Sequence, residues 1–162
     1  MSPSKDFEEL FASLGAHKVK FLVVGGYALA FHATPRYTKD LDILLDPTPE
    51  NAERLLQALA DFGFGSLNLQ VEDFTTAGNI IQLGHPPNRI DFLNSLKKVR
   101  FEEAWEHRVE GLFSDQKVFY IGLEDLIRNK QAVGRPQDRV DVAMLKKKKA
   151  KASSKPRKGN SD

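Results

Sequence analysis

Two aspartates one residue apart open an apolar run, Asp40-Leu41-Asp42-Ile43-Leu44-Leu45. In an extended strand the side chains at i and i+2 share a face, about 6–7 Å apart along the backbone. Asp40 and Asp42 therefore point one way, and Leu41 and Ile43 the other. Two carboxylates side by side repel, and an otherwise apolar strand offers little water to relieve them, so a cation is the natural neutraliser. Hard oxygen donors suit Mg²⁺ or Mn²⁺, which bind one or two carboxylates together with substrate phosphates. The plainer alternative makes Asp40 a turn cap and Asp42 a residue of a solvated sheet edge.

A third carboxylate lies in Arg89-Ile90-Asp91-Phe92-Leu93. In a strand, Ile90 and Phe92 take one face and Asp91 the other; if this strand neighbours Asp40–Leu45, three acids meet at one cation site. Otherwise Asp91 is an exposed strand residue paired with Arg89. Upstream, Gly25-Gly26 stands between a strand and a helix, where backbone N–H groups can approach a phosphate at the positive helix end. The alternative is a tight turn. Neither G-x-x-x-x-G-K-[ST] nor G-x-G-x-x-G occurs, which excludes a P-loop and a Rossmann crevice. Arg36 and Thr38 precede the aspartate strand, where a guanidinium can clamp a phosphate and a hydroxyl can touch one; loop solvation and a local turn bond are their alternatives. Lys130 shares a helix face with Leu123, Leu126 and Ile127. A lysine so placed either snorkels to water or points at an anion such as a triphosphate. Asp138 and Asp141, on adjacent turns of the last helix, can orient Lys130 or Arg135, or answer the helix dipole. His17, His32, His85 and His107 show no ligand spacing, and Tyr27 and Phe31 read as core.

The pattern Gly-Gly, thirteen residues, Asp-x-Asp, then a later strand with one more aspartate resembles the polymerase-β-like nucleotidyltransferase superfamily. The spelling Arg36-x-Thr38-x-Asp40-x-Asp42 and the ending Lys130…Gly134-Arg135-x-x-Asp138-x-x-Asp141 resemble the small bacterial AbiEii-type toxin nucleotidyltransferases. The likeness spans residues 18–145. It departs in placing bulky Tyr27 after the glycine pair, where many members carry a serine after the first glycine. The resemblance implies a small mixed sheet flanked by helices and transfer of an NMP from an NTP. It implies two divalent metals held by Asp40, Asp42 and Asp91, and phosphate contacts from Gly25 and Gly26. The acceptor would be a tRNA end or other RNA, a protein hydroxyl or a small molecule, and a toxin or antitoxin role with a cognate partner belongs to the same implication. A non-catalytic nucleic-acid or partner-binding module on the same fold is the competing reading.

The elements that must position these residues can be read from periodicity. Phe7, Leu10, Phe11 and Leu14 follow one helical face, and Gly15 stops it. Val19–Val24 reads as a buried strand, Tyr27–Ala33 as a short helix, and Asp40–Leu45 as a second strand. Thr48-Pro49 opens a helix carrying Leu55, Leu56, Leu59 and Phe62, with Gly63 as its stop. Leu67–Val71, Asn79–Leu83 and Arg89–Leu93 are strand candidates. Residues 101–107 suggest a short helix. Val109–Leu112 and Lys117–Ile121 suggest a hairpin, Leu123–Val133 a helix, and Pro136 opens the last one. Short strands among helices predict an α/β (α+β) domain with a small mixed sheet.

The chain has 162 residues, enough for one domain with a core and too few for two ordinary ones. It has no cysteine, which excludes disulfides, thiolate metal sites and a cysteine nucleophile. There is no apolar run of membrane-spanning length and no leader pattern, so the expected location is the cytoplasm, without membrane partners. Residues 146–162 hold eight Lys/Arg and one acid, a net +7. The remainder, with sixteen basic and twenty-one acidic residues, carries −5. The expected organisation is an acidic domain over 1–145 and a basic disordered tail over 146–162, a tail that suits a polyanion such as RNA.

Overall fold

The computed structural model describes residues 5–35, 38, 40–85 and 88–154. The elements run α1 (Lys5–Ala16), β1 (Phe21–Val24), α2 (Gly25–His32), β2 (Asp40–Leu45), α3 (Pro49–Leu59), α4 (Val71–Thr75), β3 (Ile80–Leu83), β4 (Arg89–Leu93), α5 (Phe101–Glu106), β5 (Val109–Phe113), β6 (Gln116–Tyr120), α6 (Leu123–Val133) and α7 (Pro136–Ser154). The six strands form one mixed sheet in the order β3-β4-β2-β1-β6-β5. β2 and β4 are parallel, as are β1 and β6; the other neighbours are antiparallel. The expected α/β architecture with a small mixed sheet is the one observed.

Apolar side chains from the strands and from the helix stripes merge into one core. Leu41, Ile43, Leu22 and Val23 are fully enclosed at the sheet centre, and Phe7, Leu10, Phe11 and Leu14 bring the expected face of α1 against it. Phe113 of β5 meets the rings of Phe7, Phe11 and Tyr27, so one aromatic cluster joins α1, α2 and the sheet. Buried Asn51 ties the start of α3 to the ends of two strands. Its side-chain amide donates to the carbonyls of Lys20 (2.9 Å) and Asp46 (3.0 Å), and its Oδ1 accepts from the Lys20 amide (2.8 Å). The Asn51 side chain is itself buried, so losing it would leave these partly buried backbone groups without a partner.

Two expectations are corrected. Leu67–Val71 is not a strand: Asn68 is left-handed (φ 55), and Gln70 caps α4, its amide donating to Asp73 Oδ2 at 2.7 Å. The alternating pattern there gives way to a capping box, which satisfies the first-turn donors locally. Nor does the basic segment begin to fray at Lys146, because α7 runs on to Ser154. Lysine and alanine are good helix formers, buried Leu145 anchors this half, and Lys149 pairs with Glu124 of α6. Residues 155–162 of the expected tail lie outside the described residues. Among the described residues, no helix is long and apolar enough to cross a membrane.

Candidate active site

The sheet assembles the acids. In the parallel β2–β4 pair, Asp42 stands directly beside Asp91 and Asp40 beside Arg89. Partners in register share a face, so Asp40, Asp42, Arg89 and Asp91 form a polar square on one side of the two strands. Leu41, Ile43, Ile90 and Phe92 are buried. The apolar alternation therefore fixes which way the acids point, since a shift of one residue would turn them into the core.

Gly25 sits at the junction of β1 and α2 with φ +66, and Val24 pairs with Asp42 across the antiparallel β1–β2 ladder. A β-carbon on Gly25 would lie 2.1 Å from Asp42 Oδ2, and one on Gly26 would lie 2.5 Å from Thr38 Cγ2. The pair thus clears space for a carboxylate and a threonine side chain directly over the start of α2. Helix α2 begins at Gly25 rather than at Tyr27, so both glycines belong to its first turn.

The electrostatics of the square are unbalanced. Burial pushes the Asp42 carboxyl up to about 7. The neighbouring charges of Asp91 and Asp40 and a hydrogen bond shared with Asp91 push the same way, while Arg89 opposes them. Arg89 Nε donates to Asp91 Oδ1 at 3.3 Å and lies 3.7 Å from Asp40 Oδ1. Among the described residues, no three acidic or histidine side chains close into a ready-made cation cage. The donor set nevertheless fits a hard divalent ion. It offers three carboxylates on adjoining strands, one of them made hard to ionise by burial and by its acidic neighbours, beside the opening turn of a helix. Asp40, Asp42 and Asp91 are the residues that would hold such an ion.

The other expected site residues fall in different places. Thr38 lies beside Gly26, and Arg36 is outside the described residues. Lys130 is buried between α6 and α7, its ammonium 2.9 Å from Asp141 Oδ2 and 3.5 Å from Asp138 Oδ1. Asp138 also accepts from the Arg135 guanidinium (2.8 Å) and amide (3.2 Å), which hold its carboxyl below the usual range, and Gln137 donates to Asp141. Among the described residues the ion pairs of Lys130 are with these two acids, not with the aspartates of the sheet. His32 donates from Nε2 to the Ile121 carbonyl (2.6 Å), pinning the end of α2 to the exit of β6, and burial lowers its pKa. Phe31 is partly exposed, stacked on Tyr120 with centroids 4.1 Å apart.

One grouping had no sequence signal. Fully buried Asp125, in the first turn of α6, receives His107 Nδ1 at 3.0 Å and Arg128 Nη1 at 3.1 Å. His107 closes α5 and Asp125 opens α6, eighteen residues apart in sequence.

The chain belongs to the family described as "Nucleotidyltransferase of unknown function (DUF6036)", which residues 5–147 match. No curated protein matches the sequence. Several solved structures share the fold, two antibiotic-modifying enzymes among them. One is ANT(2″)-Ia in complex with adenylyl-2″-tobramycin, with TM-score 0.56 and 13% identity over 91% of this chain and 89% of the other. The other is the lincosamide antibiotic adenylyltransferase LnuA with lincomycin bound, with TM-score 0.53 and 15% identity over 90% and 97%.

Proposed function

We propose that this protein transfers an NMP from an NTP to an acceptor hydroxyl, and that it needs Mg²⁺ or Mn²⁺ to do so. The observation that carries the reading is the side-by-side placement of Asp42 and Asp91 with Asp40 in the same square, a concentration of negative charge facing the glycine turn. Divalent ions on such acids would supply charge neutralisation for the triphosphate and lower the pKa of the attacking hydroxyl. The protein's own part is placement. Asp40 and Asp42 fix the position of the cation site. The backbone of Gly25 and Gly26, bare of side chains, lets phosphate oxygens approach the positive end of α2. Thr38, packed on Gly26, supports that turn. Asp91 takes the proton of the acceptor hydroxyl as its oxygen bonds to the α-phosphorus and the α–β bond breaks, releasing pyrophosphate. Lys130 enters as the buried post that fixes α7 on α6, because both of its acids are already inside that contact.

For the acceptor, the charge distribution favours a polyanion, a tRNA or other RNA, over a protein hydroxyl or a small molecule of the antibiotic kind named in the two structural neighbours. Ile121, leaving β6, hydrogen-bonds to Val23 next to the glycine turn, and α6 starts at once after it. The Lys149–Glu124 pair sets the lysine-rich half of α7 beside that start of α6. Exposed Lys146, Lys147, Lys148, Lys149 and Lys151 therefore lie toward the same end of the sheet as the acids. A role in a toxin–antitoxin pair, as for AbiEii-type enzymes, is compatible with RNA as acceptor. The test is incubation with each labelled NTP, Mg²⁺, and total RNA or total protein. Label should enter RNA, and Asp42→Ala should abolish it; equal labelling by Asp42→Ala overturns the reading.

A further inference from the structure

We propose that Arg89 is a built-in counter-ion for the acidic square, one that a divalent cation must displace on binding. The inference rests on the reading of Asp40, Asp42 and Asp91 as cation ligands and adds a residue that neither the sequence pattern nor the fold assigns. Arg89 is the only basic member of the square among the described residues, fixed there by its register with Asp40. From that position its Nε lies 3.3 Å from Asp91 and 3.7 Å from Asp40, so one positive group stands within ion-pair distance of an acid on each strand, the two acids nearest Asp42. Both contacts engage carboxylates that the cation reading assigns to the ion. A guanidinium is always charged, planar and more weakly hydrated than an ammonium, which lets it bridge two carboxylates and also leave them at modest cost. About a third of its side chain is exposed, so the arginine has a way out toward solvent. Without metal, Arg89 holds strands β2 and β4 against the repulsion of their acids. With metal, the same charge would oppose the incoming ion, and the side chain swings off.

The experiment needs neither nucleotide nor turnover. The full chain, Arg89→Gln and Arg89→Lys are melted in EDTA and titrated with Mn²⁺, free ion being read by electron paramagnetic resonance. Arg89→Gln should melt a few degrees lower without metal and bind Mn²⁺ about two- to tenfold more tightly, the scale of losing two partly exposed ion pairs. Arg89→Lys, with the charge kept on a more strongly hydrated ammonium, should fall between. Equal or weaker Mn²⁺ binding by Arg89→Gln, with the wild type binding normally, overturns this inference and leaves the nucleotidyltransferase reading standing. Binding by none of the three chains overturns the cation site itself.

Discussion

The Asp42 carboxylate occupies the space where a side chain on Gly25 would begin, 2.1 Å from the position of that missing β-carbon. Gly25 also has φ +66, a conformation that costs most residues about 1 kcal/mol or more. Gly25→Ala therefore combines backbone strain with a direct collision against the central acid. It should lower NMP transfer at least about tenfold, because small misplacements at a reacting centre carry large rate penalties. It should also lower the melting temperature, both changes being read on the same preparation.

Asp42→Asn separates chemistry from stability. The carboxyl titrates at about 7 in the folded chain and near 3.8 otherwise, so its folded-state pKa is raised. The stability it permits is complete below about pH 4 and is lost as pH rises through about 7. In EDTA, the wild type should weaken across that window and Asp42→Asn should weaken less. At pH 8 the variant should be the more stable, by about 1–3 kcal/mol, while its transferase activity disappears. Mg²⁺ should stabilise the wild type progressively more as pH rises from about 5 to 8, since binding displaces a proton. Melts at each pH, with and without Mg²⁺, check both statements.

Asn51→Ala removes three partly buried hydrogen bonds at the strand ends while touching none of the acids of the square. An unfolding loss of about 2–4 kcal/mol is expected, with KM for the NTP little changed in the molecules that remain folded. Denaturant titration and initial-rate kinetics give the two halves.

Lys130→Met leaves Asp138 and Asp141 buried without their shared ammonium. The expected cost is about 3–5 kcal/mol. Adding Asp141→Asn should recover part of it, because one of the two buried carboxylates then carries no charge. A double-mutant cycle on melting free energies measures the coupling.

Much of the fold is legible in the residue pattern because its signals are local. The stripe of α1, the Thr48-Pro49 start of α3 and the apolar alternation of β2 and β4 each arise from neighbours along the chain. Asp40 and Asp42 share a face for the same reason. That Asp91 would stand beside Asp42 was only a condition in the sequence, since pairing of β2 with β4 is decided by the packing of more than forty intervening residues. The Asn51 clamp and the His107–Asp125 contact were invisible for the same cause: each joins residues distant in sequence. Around Gln70 the local signals competed, and a capping box outweighed an alternating apolar pattern. At Lys146 charge suggested disorder, whereas helix propensity and the anchor at Leu145 carried the helix forward.

Because backbone hydrogen bonds between β2 and β4 set the spacing of the acids, the turns between α3, α4, β3 and β4 can vary so long as those elements keep their packing and return the chain to the same rung. Loops there can gain or lose residues without moving the chemistry. A single residue inserted within either strand would instead reverse its facing, sending carboxylates inward and leucines outward. Engineering of substrate range in this scaffold is accordingly best confined to the connecting segments, with the two short strands copied unaltered.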